Sequence, residues 1–419
     1  MKLIFHGGAL DVGRSCIELV TSQSRFLLDC GVKLGEETEY PEEPKAMKSI
    51  DAVFLTHAHL DHCGALPLFQ KKGLKCPIYM HPGTKNIAKI LMKDNLKVES
   101  LTHNPGYEKS NVYAAANLFK IKDFRQNLDV KDSKIKFYDA GHIPGSALVC
   151  IDVEGKRLLY TGDLNTSETR LMNGADLEID DIDTLITETT YGAKEHPDRK
   201  QSEKELIAKI KETIKRGGQA VVPVFGLGRA QEILLLIQSE KWDVPVYLDG
   251  IAEDITNLVI QENTCRDNDK LAKARGKTIF IKGMNERQLA LKTQGIFITT
   301  SGMLAGGPII DYLKETYSNP LNSILLTGYV METTNGGLLM KEGCVFLDGK
   351  KVKVKAEYKQ FDFSAHAGMS ELKQMIKTLN PRRVILIHGE PVGLENMANY
   401  VRSLGKEVFI PKPGSEINI

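Results

Sequence analysis

The sequence predicts an α/β protein in which one domain, built of short strands, is interrupted by a second domain of strands alternating with longer helices. Three observations predict it. Up to about residue 186, short apolar runs alternate with Gly, Pro and Asp turns. After Glu188 the rhythm lengthens to strand and helix pairs, and from about residue 349 the short-strand rhythm returns.

In the first segment the runs 25–29, 52–56, 77–80, 147–153 and 157–161 read as strands, with a polar residue at or just beyond the end of each. A rigid sheet presents such residues from its loops, where chemistry is usually carried. In the second segment Ser202-Glu203-Lys204-Glu205 has the form of a capping box. Leu206, Ile210 and Ile214 follow at helical spacing, and Gly217-Gly218 stops the helix. A strand at 220–224 then leads through Gly226-Leu227-Gly228-Arg229 into a helix over about 230–239. The unit repeats as a strand at 296–300, the turn Ser301-Gly302-Met303 and a helix over about 308–314, the pattern of a parallel sheet. The last segment closes on Val384-Ile385-Leu386-Ile387 and His388.

Composition narrows the functional class. The 419 residues exceed what one small core organises. The balance of 55 basic against 54 acidic residues neither requires nor excludes a polyanionic partner, because the charges can be segregated onto different faces. The seven cysteines (Cys16, Cys30, Cys63, Cys76, Cys150, Cys265 and Cys344) are odd in number and scattered, with no C-x-x-C pair. That is neither a disulfide framework nor a zinc ribbon, and it fits a reducing cytosol. The apolar start gives way to Gly7-Gly8 too soon for a signal peptide, and no apolar run approaches the ~18 residues of a membrane span. The expected setting is soluble and cytoplasmic, without a membrane.

The chemistry gathers in Thr56-His57-Ala58-His59-Leu60-Asp61-His62, delivered by the buried-strand pattern Ala52-Val53-Phe54-Leu55. His57 and His59, two apart, can face one point, while Asp61 and His62 can face a second point beyond the turn. Packing so many titratable groups together without a cation is costly, so the cluster points to metal. His142, in Ala140-Gly141-His142, Asp163, in Thr161-Gly162-Asp163, and His388 stand at further strand ends. Five imidazoles and two carboxylates suit two four-coordinate Zn²⁺ ions if Asp163 bridges them. One ion then takes His57, His59, His142 and Asp163; the other takes Asp61, His62, His388 and Asp163. His6, His81, His103 and His196 lack such company and read as structural or surface residues.

With Asp29, His142 and Asp163 in the expected order around the His-rich cluster, the chain resembles the metallo-β-lactamase superfamily. That resemblance implies an αβ/βα sandwich and a supporting position for Asp29 behind the ligands. Glu188 in Thr187-Glu188-Thr189, His366 in Phe363-Ser364-Ala365-His366 and the terminal His388 further resemble motifs A, B and C of the β-CASP nucleases. The implied organisation is a metallo-β-lactamase domain over 1–190, a β-CASP insertion over 191–349 and the rest of the first domain over 350–419. A His at the third motif is similar to the RNA-processing branch, that of the nuclease subunit of the cleavage and polyadenylation specificity factor and its prokaryotic relatives, with RNase J as a neighbour.

The resemblance implies a two-metal ribonuclease with Asp61, Asp163, Glu188 and His366 as catalytic residues, His366 giving a proton to the leaving oxygen under the orientation of Glu188. Phe363-Ser364-Ala365-His366 departs from the His-x-Ser-Gly-His form associated with RNase J, which favours endonuclease over 5′-to-3′ exonuclease action. The pattern is also compatible with a DNA nuclease, while a non-catalytic scaffold subunit of an RNA-processing complex would be marked by lost ligands, and none is missing. The expected partner is RNA, held mainly through its phosphates, and a homodimer is compatible with the sequence. Gly226, Gly228, Arg229, Ser301 and Gly302 are expected to contact phosphate, since each of their turns is read as joining a strand to a helix N-terminus. Lys350, Lys351, Lys353, Lys355 and Lys359 read as a solvated strand face.

Overall fold

The short apolar strands of the first and last segments assemble into two seven-stranded sheets. One runs in the order Glu416–Asn418, Lys2–Gly7, Cys16–Val20, Arg25–Leu28, Ala52–Phe54, Ile78–Met80, Phe119–Ile121. The other runs Glu407–Phe409, Arg383–Ile387, Thr184–Glu188, Lys156–Tyr160, Ala147–Val153, Ser133–Asp139, Leu128–Val130. Alternation in these strands sends Leu3, Phe5, Ile17, Leu19, Phe26, Leu28 and Phe54 of the first sheet and Phe137, Val149, Ile151, Tyr160 and Ile186 of the second into one shared core. The opposite face of the second sheet, with Leu148, Cys150, Leu159, Leu185, Val384 and Leu386, is covered by the helices Met369–Leu379 and Pro391–Ser403 through Leu372, Met375, Ile376, Leu394, Met397 and Val401. This is an αβ/βα sandwich, two sheets face to face with helix outside.

The computed structural model describes residues 1–35, 37–102 and 105–419, the side chains at 101 and 102 excepted, so the expectation for His103 lies outside the described residues. The chain divides into two compact units. The first comprises Met1–Glu168, Met172–Glu195 and His366–Ile419; the second comprises Thr169–Leu171 and His196–Ala365. In the second unit six strands form an all-parallel sheet in the order Ile279–Ile281, Val246–Asp249, Ile296–Thr299, Ala220–Pro223, Ser323–Leu326, Glu357–Gln360. Its central strands are apolar on both faces, as helices on either side require.

Two local expectations change. The helix read as starting at Ser202 spans Arg199–Lys215, because Asp198 is its N-cap and accepts from the Gln201 N–H; Ser202 lies inside the helix, buried. Residues 350–365, grouped with the closing segment by their short-strand rhythm, contribute the strand Lys350–Lys353 to a hairpin with Cys344–Leu347 and the strand Glu357–Gln360 to the parallel sheet of the second unit. All seven cysteines are free thiols. Among the described residues no helix is long and apolar enough to cross a membrane.

Candidate metal centre and active site

Every residue expected at the centre belongs to the first unit, at a strand end, in a loop or on a short helix. The strand Ala52–Phe54 delivers Thr56 and His57; His59 is the extended residue that precedes the short helix Leu60–Cys63, which carries Asp61 and His62. His142 sits in the loop between Ser133–Asp139 and Ala147–Val153, where the Ser146 hydroxyl accepts from the backbone N–H groups of His142 (3.1 Å) and Ile143 (3.2 Å). Asp163 follows Lys156–Tyr160, Glu188 ends Thr184–Glu188 and His388 follows Arg383–Ile387.

The candidate ligand atoms form two groups, His57, His59, His142 and Asp163, and Asp61, His62, Asp163 and His388, and within each group all lie within 4.8 Å of one another. Asp163 belongs to both. Its Oδ2 is 3.6 Å from His57 Nε2 and 3.9 Å from His142 Nε2, while its Oδ1 is 3.3 Å from His62 Nε2 and 3.5 Å from His388 Nδ1. His59 Nδ1 stands 3.2 Å from both His57 Nε2 and His142 Nε2. That spacing matches the edge of about 3.3 Å expected for a tetrahedron with Zn–N bonds of roughly 2.0–2.1 Å. His62 Nε2 and Asp163 Oδ1 are buried and have no hydrogen-bond partner. Buried polar atoms are seldom left so, and two of them converging in one ligand group fit a cation.

The electrostatics agree. Burial holds His57 and His59 below the ordinary imidazole value, so both rings are neutral, as ligands must be. Burial opposes the charge on Asp163, yet His62 and His388 pull it well below the usual carboxylate range. Burial likewise opposes a charge on His62, but Asp163, Asp29 and Asp61 hold it well above the ordinary value. Cation binding would displace that proton. His59, Asp61 and His366 are partly exposed while the candidate ligands His57, His62, His142, Asp163 and His388 are buried, so the first three border the open side of the centre.

His366 adjoins this cluster, its ring centroid 4.5 Å from that of His142. Its Nδ1–H donates to both oxygens of Glu188 at 3.0 Å, and the buried Glu188 also accepts from the Leu164 N–H at 2.8 Å. Burial disfavours the imidazolium, but the Glu188 carboxylate overrides it and raises His366 to about 9.

Family models match three stretches of the chain: a metallo-beta-lactamase superfamily domain over residues 19–190, a Beta-Casp domain over 230–339 and a Zn-dependent metallo-hydrolase RNA specificity domain over 351–411. The chain is 42% identical to "Probable RNase MJ4" of Methanocaldococcus jannaschii, covering 100% of both proteins. The chain belongs to the β-CASP family of metallo-β-lactamase-fold ribonucleases. It is also 34% identical to "RNase aCSPSF2" of Saccharolobus solfataricus, over 99% of this chain and 84% of that protein. In fold it is similar to a crystal structure of a protein of unknown function from Enterococcus faecalis V583, at a TM-score of 0.62 and 16% identity over 99% of each chain. As a β-CASP protein it is a metal-dependent ribonuclease by class, and its fold implies divalent-metal binding.

The β-CASP unit changes the reading of the phosphate turns. Gly228 is the N-cap of the helix Arg229–Gln238, and its φ of 76° explains the glycine without a ligand. Several N–H groups there already have acceptors: Gly228 donates to the Gln231 side chain, Arg229 to the Leu227 carbonyl and Ala230 to the Phe225 carbonyl. Gly226 lies in the same turn, against Ile251. Ser301 and Gly302 do not open a helix, contrary to expectation, since the next one spans Ile309–Thr316. A Cβ at Gly302 would stand 3.0 Å from the Phe225 nitrogen, which accounts for glycine by close backbone approach. Arg229 is pinned through Nη1 to the Thr327 carbonyl at 2.7 Å.

His6, His81 and His196 have structural partners. His6 donates from Nε2 to the buried Glu18 at 2.9 Å, His81 stacks on Phe124 and His196 contacts Asp362 at 3.2 Å. Sequence reasoning missed Thr56 and Tyr160, which surround Asp29. The Asp29 carboxylate accepts from the Thr56 N–H at 2.7 Å, the Tyr160 hydroxyl at 2.7 Å and His62 Nδ1–H at 2.7 Å. The only available signal was the position of Thr56 directly before the His-x-His pair.

Proposed function

We propose that the protein is a zinc-dependent ribonuclease that hydrolyses RNA phosphodiester bonds with two Zn²⁺ ions per chain, acting endonucleolytically in RNA processing or decay. The observation that carries this reading is the division of Asp163 between two donor groups, with Oδ2 towards His57 and His142 and Oδ1 towards His62 and His388. Imidazole and carboxylate donors in fours suit zinc. Bound ions would supply the Lewis acidity that activates water at neutral pH and neutralises charge at phosphorus.

The chain's own residues perform the remaining tasks. His366 bonds Glu188 through Nδ1, and we assign to its Nε2–H the protonation of the departing oxygen of the RNA. Glu188, fixed by the Leu164 N–H, keeps that ring upright and charged. The seven free cysteines support a cytoplasmic setting. Incubation with circular, 5′-monophosphorylated and 5′-triphosphorylated RNA tests the cutting mode. Cleavage of the circle is the expected result; degradation confined to the linear 5′-monophosphorylated RNA would instead make the enzyme a 5′-to-3′ exonuclease.

RNA is held mainly through phosphate, so affinity falls steeply with salt and depends little on base identity. We assign phosphate contact in the second unit to Arg229, whose guanidinium the Thr327 carbonyl orients. Lys351, exposed and paired with Glu342, lies outside this contact. In filter binding across a salt series, Arg229→Ala is expected to weaken RNA binding clearly more than Lys351→Ala, with zinc content unchanged in both. Equal effects, or a flat salt response, would remove Arg229 from the RNA path.

A further inference from the structure

Thr56 stands at the junction of the two ligand groups. Its Oγ1 lies 2.8 Å from Asp29 Oδ2, 3.1 Å from Asp29 Oδ1 and 3.0 Å from His57 Nδ1. A hydroxyl has one proton to give, and a carboxylate can only accept. The Thr56 hydroxyl therefore donates to Asp29, and its lone pair is what remains for His57. His57 can complete the contact only by donating, which places its ring proton on Nδ1 and turns the Nε2 lone pair towards Asp163 Oδ2, 3.6 Å away. Asp29 treats the second group directly: His62 Nδ1–H donates to Oδ2 at 2.7 Å, and His62 Nε2 is the buried atom without a partner. The Tyr160 hydroxyl, from the opposite sheet of the sandwich, donates to the same Oδ2 at 2.7 Å and holds the carboxylate in place.

We propose that Thr56 is a positioning residue which, by relaying Asp29 to His57 Nδ1, makes one carboxylate set the ring proton of a ligand in each of the two ion groups. The relay rests on the reading of these groups as a metal centre, and it goes beyond the ligands themselves: Asp29 reaches His62 in one step and His57 in two, through the hydroxyl. Partners of this kind fix the orientation and basicity of ligating imidazoles, and losing one typically costs roughly 10- to 100-fold in metal affinity.

The consequence is asymmetric and therefore testable. Thr56→Val keeps the shape and removes the hydroxyl, so it breaks the step to His57 and leaves the 2.7 Å bond from His62 to Asp29 in place, removing on that side only the long 3.4 Å contact of the hydroxyl with His62 Nδ1. Zn²⁺ titration of the metal-stripped full-length protein against a chromophoric chelator should give two sites in the wild type, one of them weakened roughly 10- to 100-fold in Thr56→Val. Thr56→Ser, which restores the hydroxyl, should recover wild-type affinity, and Asp29→Ala should weaken both sites. Wild-type affinity at both sites in Thr56→Val, or failure of Thr56→Ser to recover it, overturns the relay. Long-range ¹H–¹⁵N spectra of the metal-free wild type supply a readout that needs no variant to fold: the His57 proton is expected on Nδ1, and finding it on Nε2 overturns the proposal. If the wild type takes up no Zn²⁺ at all, the metal reading of the centre fails with it, a result distinct from loss of the relay alone.

Discussion

Replacing His366 by alanine is expected to lower RNA cleavage by roughly 10²- to 10⁴-fold, the span for loss of a general acid, while zinc content stays at the wild-type level. The separation of the two readouts follows from geometry. His366 spends Nδ1 on Glu188 and is absent from both four-residue ligand groups, although Asp163, Glu188 and His366 also converge to within 4.8 Å. Elemental analysis showing zinc loss in His366→Ala would make His366 a ligand and end its role as acid. The pH profile gives a second check. His366 acts in its protonated form, and Glu188, acting against burial, raises it from 6.5 to about 9. Activity that needs this proton is therefore retained at neutral pH and lost as pH rises through the raised value. Glu188→Gln removes the main raising influence, so the alkaline limb should move down towards 6.5; an unmoved limb would separate Glu188 from the proton donor.

Asp163→Ala is expected to weaken both zinc sites together and to abolish cleavage. Each Asp163 oxygen faces a different donor group, so on the proposed two-zinc reading one substitution removes a ligand from both and also removes the bridge. The fall in affinity should exceed the roughly 10- to 100-fold typical of losing an outer hydrogen-bond partner, which makes it larger than that of Thr56→Val. Zinc-to-protein ratios by elemental analysis decide the matter. Retention of one tightly held ion in Asp163→Ala would show that the groups do not share this carboxylate.

Much of the centre was legible because its signals are local. His57, His59, Asp61 and His62 fall within one turn, and their spacing alone implies two facing points. Counting donors at strand ends then brought in His142, Asp163 and His388, all of which the fold carries to the same place. Where two local signals compete, the sequence misleads: Ser202 has capping-box form, yet Asp198 caps the helix because its carboxylate reaches the Gln201 N–H. Glycines carry a second ambiguity. Gly228 and Gly302 read as phosphate turns, and a positive φ and a close backbone approach require glycine there with or without a ligand.

By itself the sequence determined the α/β class and singled out the candidate ligands, since strand period, turn residues and short motifs act over a few neighbouring positions. Tertiary structure decided what depends on pairing between distant segments. The strand Glu357–Gln360 joins the parallel sheet beside Ser323–Leu326, which no feature of its own alternation specifies. Asp29 and Thr56 come from one sheet of the sandwich and Tyr160 from the other, and only the packing of those sheets places the Tyr160 hydroxyl 2.7 Å from the carboxylate that orients His62. Hydrogen-bond partners 131 residues apart are chosen by the closure of a core, a free energy summed over many side chains, and no short motif encodes that sum.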